Sequence, residues 1–241
     1  MTDTIRIAMW SGPRNLSTAT MRSFGARSDT VCIDEPFYAA YLSMTELEHP
    51  MREETLASQP HDPEAVIQAI AYEPVSAPIL YQKHMTHHML AGIPRDWMSA
   101  VRNAFLIRHP ARVLASYARK SEDVKLSDIG FEQQADLFDH VLHLTGAAPT
   151  VVDSDDILKD PAGTLEKLCR RLEIPYSDEM LHWKAGPKPE DGAWAPHWYD
   201  SVNASTGFGD PPGPIPELPD ELQPILEAAL PIYETLAGHK V

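Results

Sequence analysis

The chain has 241 residues, and its 20 Lys and Arg stand against 35 Asp and Glu, a formal net charge of −15 with a sequence pI near 5.0. Apolar residues make up 43% and charged residues 23%, which excludes disorder as the main state and suffices for one compact domain with a sizeable core. The acidic balance argues against a dedicated nucleic-acid binder, and no apolar run approaches the roughly 18 residues that span a bilayer.

The opening Met1-Thr2-Asp3-Thr4-Ile5-Arg6 lacks a charged-then-apolar leader pattern. Cys32 and Cys169 lie in separate apolar stretches without CxxC or metal-type spacing, and are expected as reduced buried thiols of a cytoplasmic protein.

In chain order, Ile5–Trp10 reads as a strand, followed by a polar turn and a helix over about Leu16–Ala26. Thr30–Ile33 is a second strand. Pro63–Tyr72 has helical periodicity, Ile79–Gln82 is a third strand and Ala104–Ile107 a fourth. Helices are predicted over Arg112–Arg119, Phe131–Leu144 and Ala162–Leu172, with a fifth strand at Thr150–Asp153. Near-continuous apolar strands separated by helices predict a three-layer α/β fold. It has a parallel sheet of about five strands, of P-loop type, covered by helices on both faces.

Six of the 22 prolines fall between Pro211 and Pro224. That stretch cannot be a continuous helix or central strand, and it reads as a strap leading to a last helix, about Glu221–Leu236, kinked near Pro231. The expected organisation is a single domain over 1–241: an α/β core over 1–200, then strap and final helix over 201–241. Residues 95–125 carry seven Arg and Lys against three Asp and Glu, whereas 189–241 carry one Lys against nine acids. An anionic ligand can therefore sit over the basic half of an acidic protein.

Ligands of such sheets bind beyond the carboxyl ends of the strands, and three of these ends carry polar clusters. The first strand runs into Ser11-Gly12-Pro13-Arg14-Asn15-Leu16-Ser17-Thr18-Ala19-Thr20. A strand, a tight loop and a helix N-terminus present backbone N–H groups and a positive dipole end to an anion. Ser17, Thr18 and Thr20 add hydroxyls, and Arg14 adds a forked cation. The Gly-Lys-Ser/Thr ending of an ATP–Mg²⁺ loop is absent, and an ordinary N-capped helix is the alternative reading. The fourth strand ends in Arg108-His109-Pro110, with Pro110 suited to a first helical turn. Arg112, Ser116, Arg119 and Lys120 lie away from the apolar face of that helix. Arg108 and Ser116 are placed to share one phosphate; a solvated basic face is the plainer alternative.

Together these segments resemble the sulfotransferase superfamily, whose members transfer a sulfuryl group from 3′-phosphoadenosine 5′-phosphosulfate (PAPS). Pro13-Arg14-Asn15-Leu16-Ser17-Thr18 stands where that family has P-[KR]-S-G-[ST]-[ST], which holds the 5′-phosphosulfate. Arg108-His109-Pro110 with Leu114-Ala115-Ser116-Tyr117 matches the family's 3′-phosphate segment. Asp156–Pro161 followed by Thr164–Cys169 looks like a family helix entry. Gly186–Trp194, with Lys188, looks like a degenerate form of its late loop near the nucleotide. Leu16 stands where the family usually has Gly, and Arg14 where many members have Lys; Arg14 keeps the charge in a planar fork.

Two strand ends offer a base for the acceptor. Asp34-Glu35-Pro36 follows the second strand, and the resemblance favours Glu35. Gln82-Lys83-His84-Met85 follows the third and looks like the family's K-x-H shortened by one residue. His84 accepts a proton at neutral pH with little tuning, whereas Glu needs burial. Both remain candidates, with Lys83 steadying the bridging oxygen.

Asp34-Glu35 also resembles a Mg²⁺-binding carboxylate pair, and His84, His87 and His88 a metal cluster. The loop lysine and an HExxH glutamate are missing, so no metal is expected. Trp183, Trp194, Trp198 and Tyr199 read as packing residues rather than a stacking platform.

The resemblance therefore implies a PAPS-dependent sulfotransferase acting on a hydroxyl or amine of a small molecule, with no nucleic-acid or membrane partner. Its loop holds the 5′-phosphosulfate, Arg108 and Ser116 the 3′-phosphate, and Arg14 and Lys83 the leaving bisphosphate. A kinase-like or other nucleotide-dependent transferase, a phosphoester hydrolase and a non-catalytic nucleotide binder are the alternatives. The segment from Tyr38 to Pro78 is expected to face the acceptor.

Overall fold

The structure, a computed structural model, describes residues 4–119 and 123–241. Lys120, expected on the basic helix face, lies outside the described residues. Five parallel strands, β1 (Ile5–Ser11), β2 (Thr30–Asp34), β3 (Ile79–Met85), β4 (Arg102–Ile107) and β5 (Thr150–Asp153), form one sheet in the order β2-β3-β1-β4-β5.

The helices are α1 (Ser17–Gly25), α2 (Tyr38–Met44), α3 (Arg52–Ser58), α4 (Pro63–Ile67), α5 (Pro110–Tyr117) and α6 (Phe131–Thr145). They continue with α7 (Ser154–Lys159), α8 (Pro161–Arg171), α9 (Ala195–Trp198), α10 (Asp200–Asn203) and α11 (Gln223–Ala237). This is the α/β architecture the alternation of apolar strands and helices predicts.

Strand alternation divides the core in two. Ala8, Trp10, Phe105 and Ile107 point to one face and pack with Trp97, Leu137, Phe138 and Val141. Ile7, Met9, Tyr81 and Leu106 point to the other and pack with Met21, Phe24, Leu165 and Leu168. Burial on both faces explains why β1, at the sheet centre, reads as a nearly unbroken apolar run. The chain winds from β1 outward to β2 and back to β3 beside β1, then crosses to β4 on the other side. The winding direction therefore reverses at β1, and a crevice opens there at the carboxyl ends.

The helix predicted over 63–72 is in two parts. α4 ends at Ile67, and Gln68–Tyr72 form a π turn whose Ile70 carbonyl accepts from the buried Gln82 amide at 2.8 Å. The proline-rich stretch has no helix or strand over 211–219. It lies against α5, where the Arg112 guanidinium donates to the Gly213 and Pro214 carbonyls. Beyond α11, the Val241 amide donates to the Val151 carbonyl at 3.1 Å, so the end of the chain covers the outer edge of β5.

Candidate functional site

The β1–α1 loop takes its shape from two residues in left-handed backbone, Arg14 (φ 61°) and Leu16 (φ 68°). A glycine adopts that geometry without strain, which accounts for the glycine the resemblance places at 16; Leu16 adopts it at roughly 1 kcal/mol. No side chain caps the start of α1, so its first backbone donors point into the crevice. Gly12 is required by sterics: a Cβ there would meet the Ile129 carbonyl oxygen at 2.6 Å.

Below the loop, Ser154 Oγ donates to the Asn15 and Ile107 carbonyls (2.7 and 2.8 Å). Asn15 Nδ2 reaches the Leu106 carbonyl at 3.3 Å, so Asn15 is turned beneath the loop. Thr20 Oγ1 donates back to the Leu16 carbonyl at 3.1 Å, leaving Ser17 and Thr18 as the hydroxyls of the first turn.

The two expected anion clusters meet. Arg14 Nε donates to Ser116 Oγ at 3.0 Å, and Arg108 Nη1 donates to the Arg14 carbonyl at 2.8 Å. Arg108 Nε is buried without a partner. Among the described residues, no carboxylate lies within 4.0 Å of the charged groups of Arg14, Arg108 or Arg119. The nearby Asp155 is taken by Arg112, Nε to Oδ2 at 2.8 Å. Burial, with neighbouring Arg119, lowers the pKa of Arg14; burial also lowers that of Arg108, where Asp155 opposes the shift and Arg112 and Arg14 add to it. Three arginines with no carboxylate in ion-pair contact among the described residues, in a chain of net charge −15, form a local positive site of the kind that attracts a polyanion.

A second constellation stands at the ends of β2 and β3. Lys83 Nζ donates to Asp34 Oδ1 (2.9 Å), to Glu35 Oε1 and to Tyr199 OH (2.9 Å). Lys83 and Asp34 are almost fully buried, and Glu35 is 8% exposed. Glu35, itself in left-handed backbone (φ 42°), is fixed by Gln59, whose amide donates to the Asp34 and Glu35 carbonyls at 3.3 Å. Burial raises the Glu35 carboxyl to about 7; Lys83 opposes the rise and Asp34 adds to it. The Lys83 ammonium is held well above its ordinary value by Asp34 and Glu35, against the effect of burial. His88 Nε2 is 3.9 Å from Glu35 Oε2, and the His88 ring stacks on Tyr38 and Tyr41.

Two expected site residues have other partners here. His84, the alternative base, follows Lys83 on the same strand and so faces the opposite side of the sheet. Its ring stacks on Trp10 with centroids 4.3 Å apart and bonds Gln82 Oε1 at 3.0 Å. Burial lowers its pKa to about 3. It is a satisfied core histidine, and it cannot join His87 and His88 in a cluster.

Lys83, expected at the bridging oxygen, has all three ammonium donors engaged by Asp34, Glu35 and Tyr199. Its charge reaches the site through Glu35.

Lys188 Nζ turns to the Lys184 carbonyl at 2.7 Å. Its own backbone N–H donates to Asp191, which is paired through both oxygens to Arg22 on α1. The late loop is thus pinned to α1, and its Gly192 amide donates to Asp34 Oδ2 at 3.2 Å.

Tyr199, read from sequence as a packing aromatic, is the residue sequence reasoning missed. Only its place in an aromatic-rich stretch hinted at it. Among the described residues no group of three or more His, Cys, Asp or Glu is arranged to hold a metal ion, and no helix is long and apolar enough to cross a membrane.

A loop at the switch point, an arginine at the end of the adjacent strand and a serine on the following helix are set on a fold of the sulfotransferase kind. The family profile "Sulfotransferase domain" matches residues 5–239, and the chain belongs to that family. It is 39% identical over 233 residues to "Branched-chain-amino-acid aminotransferase-like protein 1" of Arabidopsis thaliana and 37% identical to protein 2 of that name. The matches take in 97% of this chain, and 42% and 41% of those proteins. The chain therefore spans about two fifths of the length of these relatives.

Among solved structures, it is similar in fold to the sulfotransferase domain from the curacin biosynthetic pathway (TM-score 0.53, 16% identity, 95% of this chain and 98% of that one). A sulfotransferase from Alicyclobacillus acidocaldarius gives a TM-score of 0.54 at 12% identity, covering 100% and 98%. The sulfotransferase domain of the Synechococcus PCC 7002 olefin synthase gives 0.52 at 17%, covering 98% and 96%.

Proposed function

We propose that the chain, as a single unit over 1–241, is a cytoplasmic enzyme that transfers the sulfuryl group of PAPS to a hydroxyl or amine of a small molecule. The observation that carries this reading is the meeting of Arg14, Arg108 and Ser116 without a carboxylate partner among the described residues. The buried unsatisfied Arg108 Nε supports a further anion there, since such a group left unpaired is costly.

In this reading Arg108 and Ser116 bind the 3′-phosphate. The loop amides with Ser17, Thr18 and Arg14 hold the 5′-phosphosulfate, in the place given to Pro13–Thr18 by the resemblance. Lys188 belongs to the loop beside the nucleotide. Glu35, raised to about 7, takes the acceptor proton. The acceptor oxygen or nitrogen bonds to sulfur as the bond from sulfur to the 5′-phosphate oxygen breaks. The leaving bisphosphate gains the negative charge that Arg14 and the α1 amides face.

The relatives' names raise amino-group transfer as a second reading. The shared 233 residues are only 42% of those proteins, so the name does not locate that chemistry in the shared part. A Schiff-base lysine must lose its proton, whereas Lys83 is held charged between two carboxylates.

The test is thermal unfolding with adenosine 3′,5′-bisphosphate near a millimolar, followed by a screen of acceptors scored by bisphosphate production. A clear rise in Tm is expected, and its absence refutes the donor assignment.

A further inference from the structure

The buried group around Lys83 is saturated with hydrogen bonds at every member but one. The Lys83 ammonium spends its three donors on Asp34, Glu35 and Tyr199. The Tyr199 hydroxyl donates to Asp34 Oδ2 at 2.7 Å and accepts from Lys83 and from Trp194 Nε1 at 3.2 Å. That fills its one donor and two acceptor sites. Asp34 Oδ2 also receives the Gly192 amide. Glu35 is the exception: Oε1 is held by Lys83, while Oε2 has among the described residues only His88 Nε2 at 3.9 Å, beyond hydrogen-bond length.

We propose that Tyr199 and Asp34 are positioning residues. They fix the Lys83 ammonium on one oxygen of Glu35, leave the other oxygen for the acceptor proton, and set the pH at which Glu35 gives that proton up. For its catalytic consequence the inference rests on Glu35 as the base.

The groups facing Glu35 are Lys83 on β3, Asp34 on β2, His88 beyond β3, Tyr38 on α2 and Tyr199 between α9 and α10. Burial keeps His88 neutral near pH 7 and raises the hydroxyls of Tyr38 and Tyr199 out of that range. Lys83 and Asp34 are thus the charges that act on Glu35.

Tyr199 disperses the Asp34 charge by donating to it. Without that donor, Asp34 draws the ammonium away from Glu35, and Glu35 holds its proton to higher pH. Replacing Asp34 by Asn does the opposite, because the competing anion is gone and Lys83 turns wholly to Glu35. Trp194 polarises the Tyr199 hydroxyl, so its loss weakens the bond to Asp34 in the same direction as Tyr199→Phe, by less.

The experiment is an infrared titration of the Glu35 carboxyl, identified by the C=O band that Glu35→Gln removes. It is run in the natural protein, Tyr199→Phe, Asp34→Asn and Trp194→Phe, each checked for cooperative unfolding. The midpoint is expected to rise by about half to one pH unit in Tyr199→Phe, to fall in Asp34→Asn, and to rise less in Trp194→Phe.

Should Tyr199→Phe not fold, the opposed shifts of Asp34→Asn and Trp194→Phe decide. Midpoints that stay put, or move the same way in Tyr199→Phe and Asp34→Asn, overturn the proposal. The pH profile of sulfuryl transfer, measured in parallel, is expected to move with each midpoint. If the natural protein turns over no PAPS while the midpoints still shift in opposite directions, positioning stands and the sulfotransferase reading falls.

Discussion

Replacing Arg108 by Ala tests the nucleotide site most directly. One guanidinium nitrogen is already committed to the Arg14 carbonyl at 2.8 Å. Nε is buried with no partner, and the fork has a further nitrogen to offer. A 3′-phosphate therefore gains up to two charge-assisted bonds from this side chain. Hydrogen bonds to charged groups are each worth about 1.5–3 kcal/mol, and their truncation is rarely additive. The expected loss is thus about 2–4 kcal/mol, roughly 30- to 700-fold in Kd.

Calorimetric titration with adenosine 3′,5′-bisphosphate and with AMP separates this from damage to the loop, because AMP carries only the 5′-phosphate. R108A should lose affinity for the bisphosphate and bind AMP nearly as the natural protein does. R108K should fall between, since it keeps charge but loses the planar fork. Equal losses for both ligands would make Arg108 a scaffold for the Arg14 carbonyl. No loss for the bisphosphate would remove the 3′-phosphate site altogether.

Glu35→Gln should retain bisphosphate binding and lose about 10²- to 10⁴-fold in turnover, measured by bisphosphate release. In the natural protein kcat/KM should rise with pH through about 7, as the raised Glu35 carboxyl deprotonates into a base. The linked stability runs the other way. Because the folded-state value exceeds the ordinary one, Glu35's contribution is complete below about 4.5 and lost as pH climbs through about 7. Tm measured across that window should therefore fall more in the natural protein than in E35Q.

Lys83→Met, which leaves two buried carboxylates without a cation, should destabilise by about 3–5 kcal/mol in urea unfolding. His84→Ala should cost about 3 kcal/mol through the lost Trp10 stack and Gln82 bond, while the folded fraction keeps its turnover. A turnover loss matching that of E35Q would restore His84 as a base.

How much of this was legible in the sequence depends on whether the signal is local. All five strands and the helix following β1 were readable, because apolar runs and their alternation are local. The joining of the β1 loop with Arg108 and Ser116 was implied by the family resemblance alone, since nothing local in the sequence says that β4 lies beside β1. Which of Lys83 and His84 faces Asp34 and Glu35 turned on strand parity. Adjacent residues face opposite sides of the sheet, and only the three-dimensional partners reveal which side holds the carboxylates. Tyr199 lies 165 residues from Asp34 in a stretch of short helices and turns, so no periodicity could connect the two. The π turn over Gln68–Tyr72 likewise reads as plain helix until buried Gln82 requires an acceptor.

The strand order also constrains where the proposed reaction takes place. Asp34 pairs in register with Lys83, and Lys83 with Met9, so β2 ends two residues short of the ends of β3 and β1. Glu35 follows a strand that lies two places from β1, a lateral span of about 10 Å at the usual interstrand spacing. Arg108, one strand beyond β1 on the other side, lies outside that span and is free to hold the far phosphate. His84, on β3 itself, faces the other side of the sheet, stacked on Trp10. The same order puts β3 between β1 and β2 and so sets Glu35 and Arg108 on opposite sides of the β1 loop.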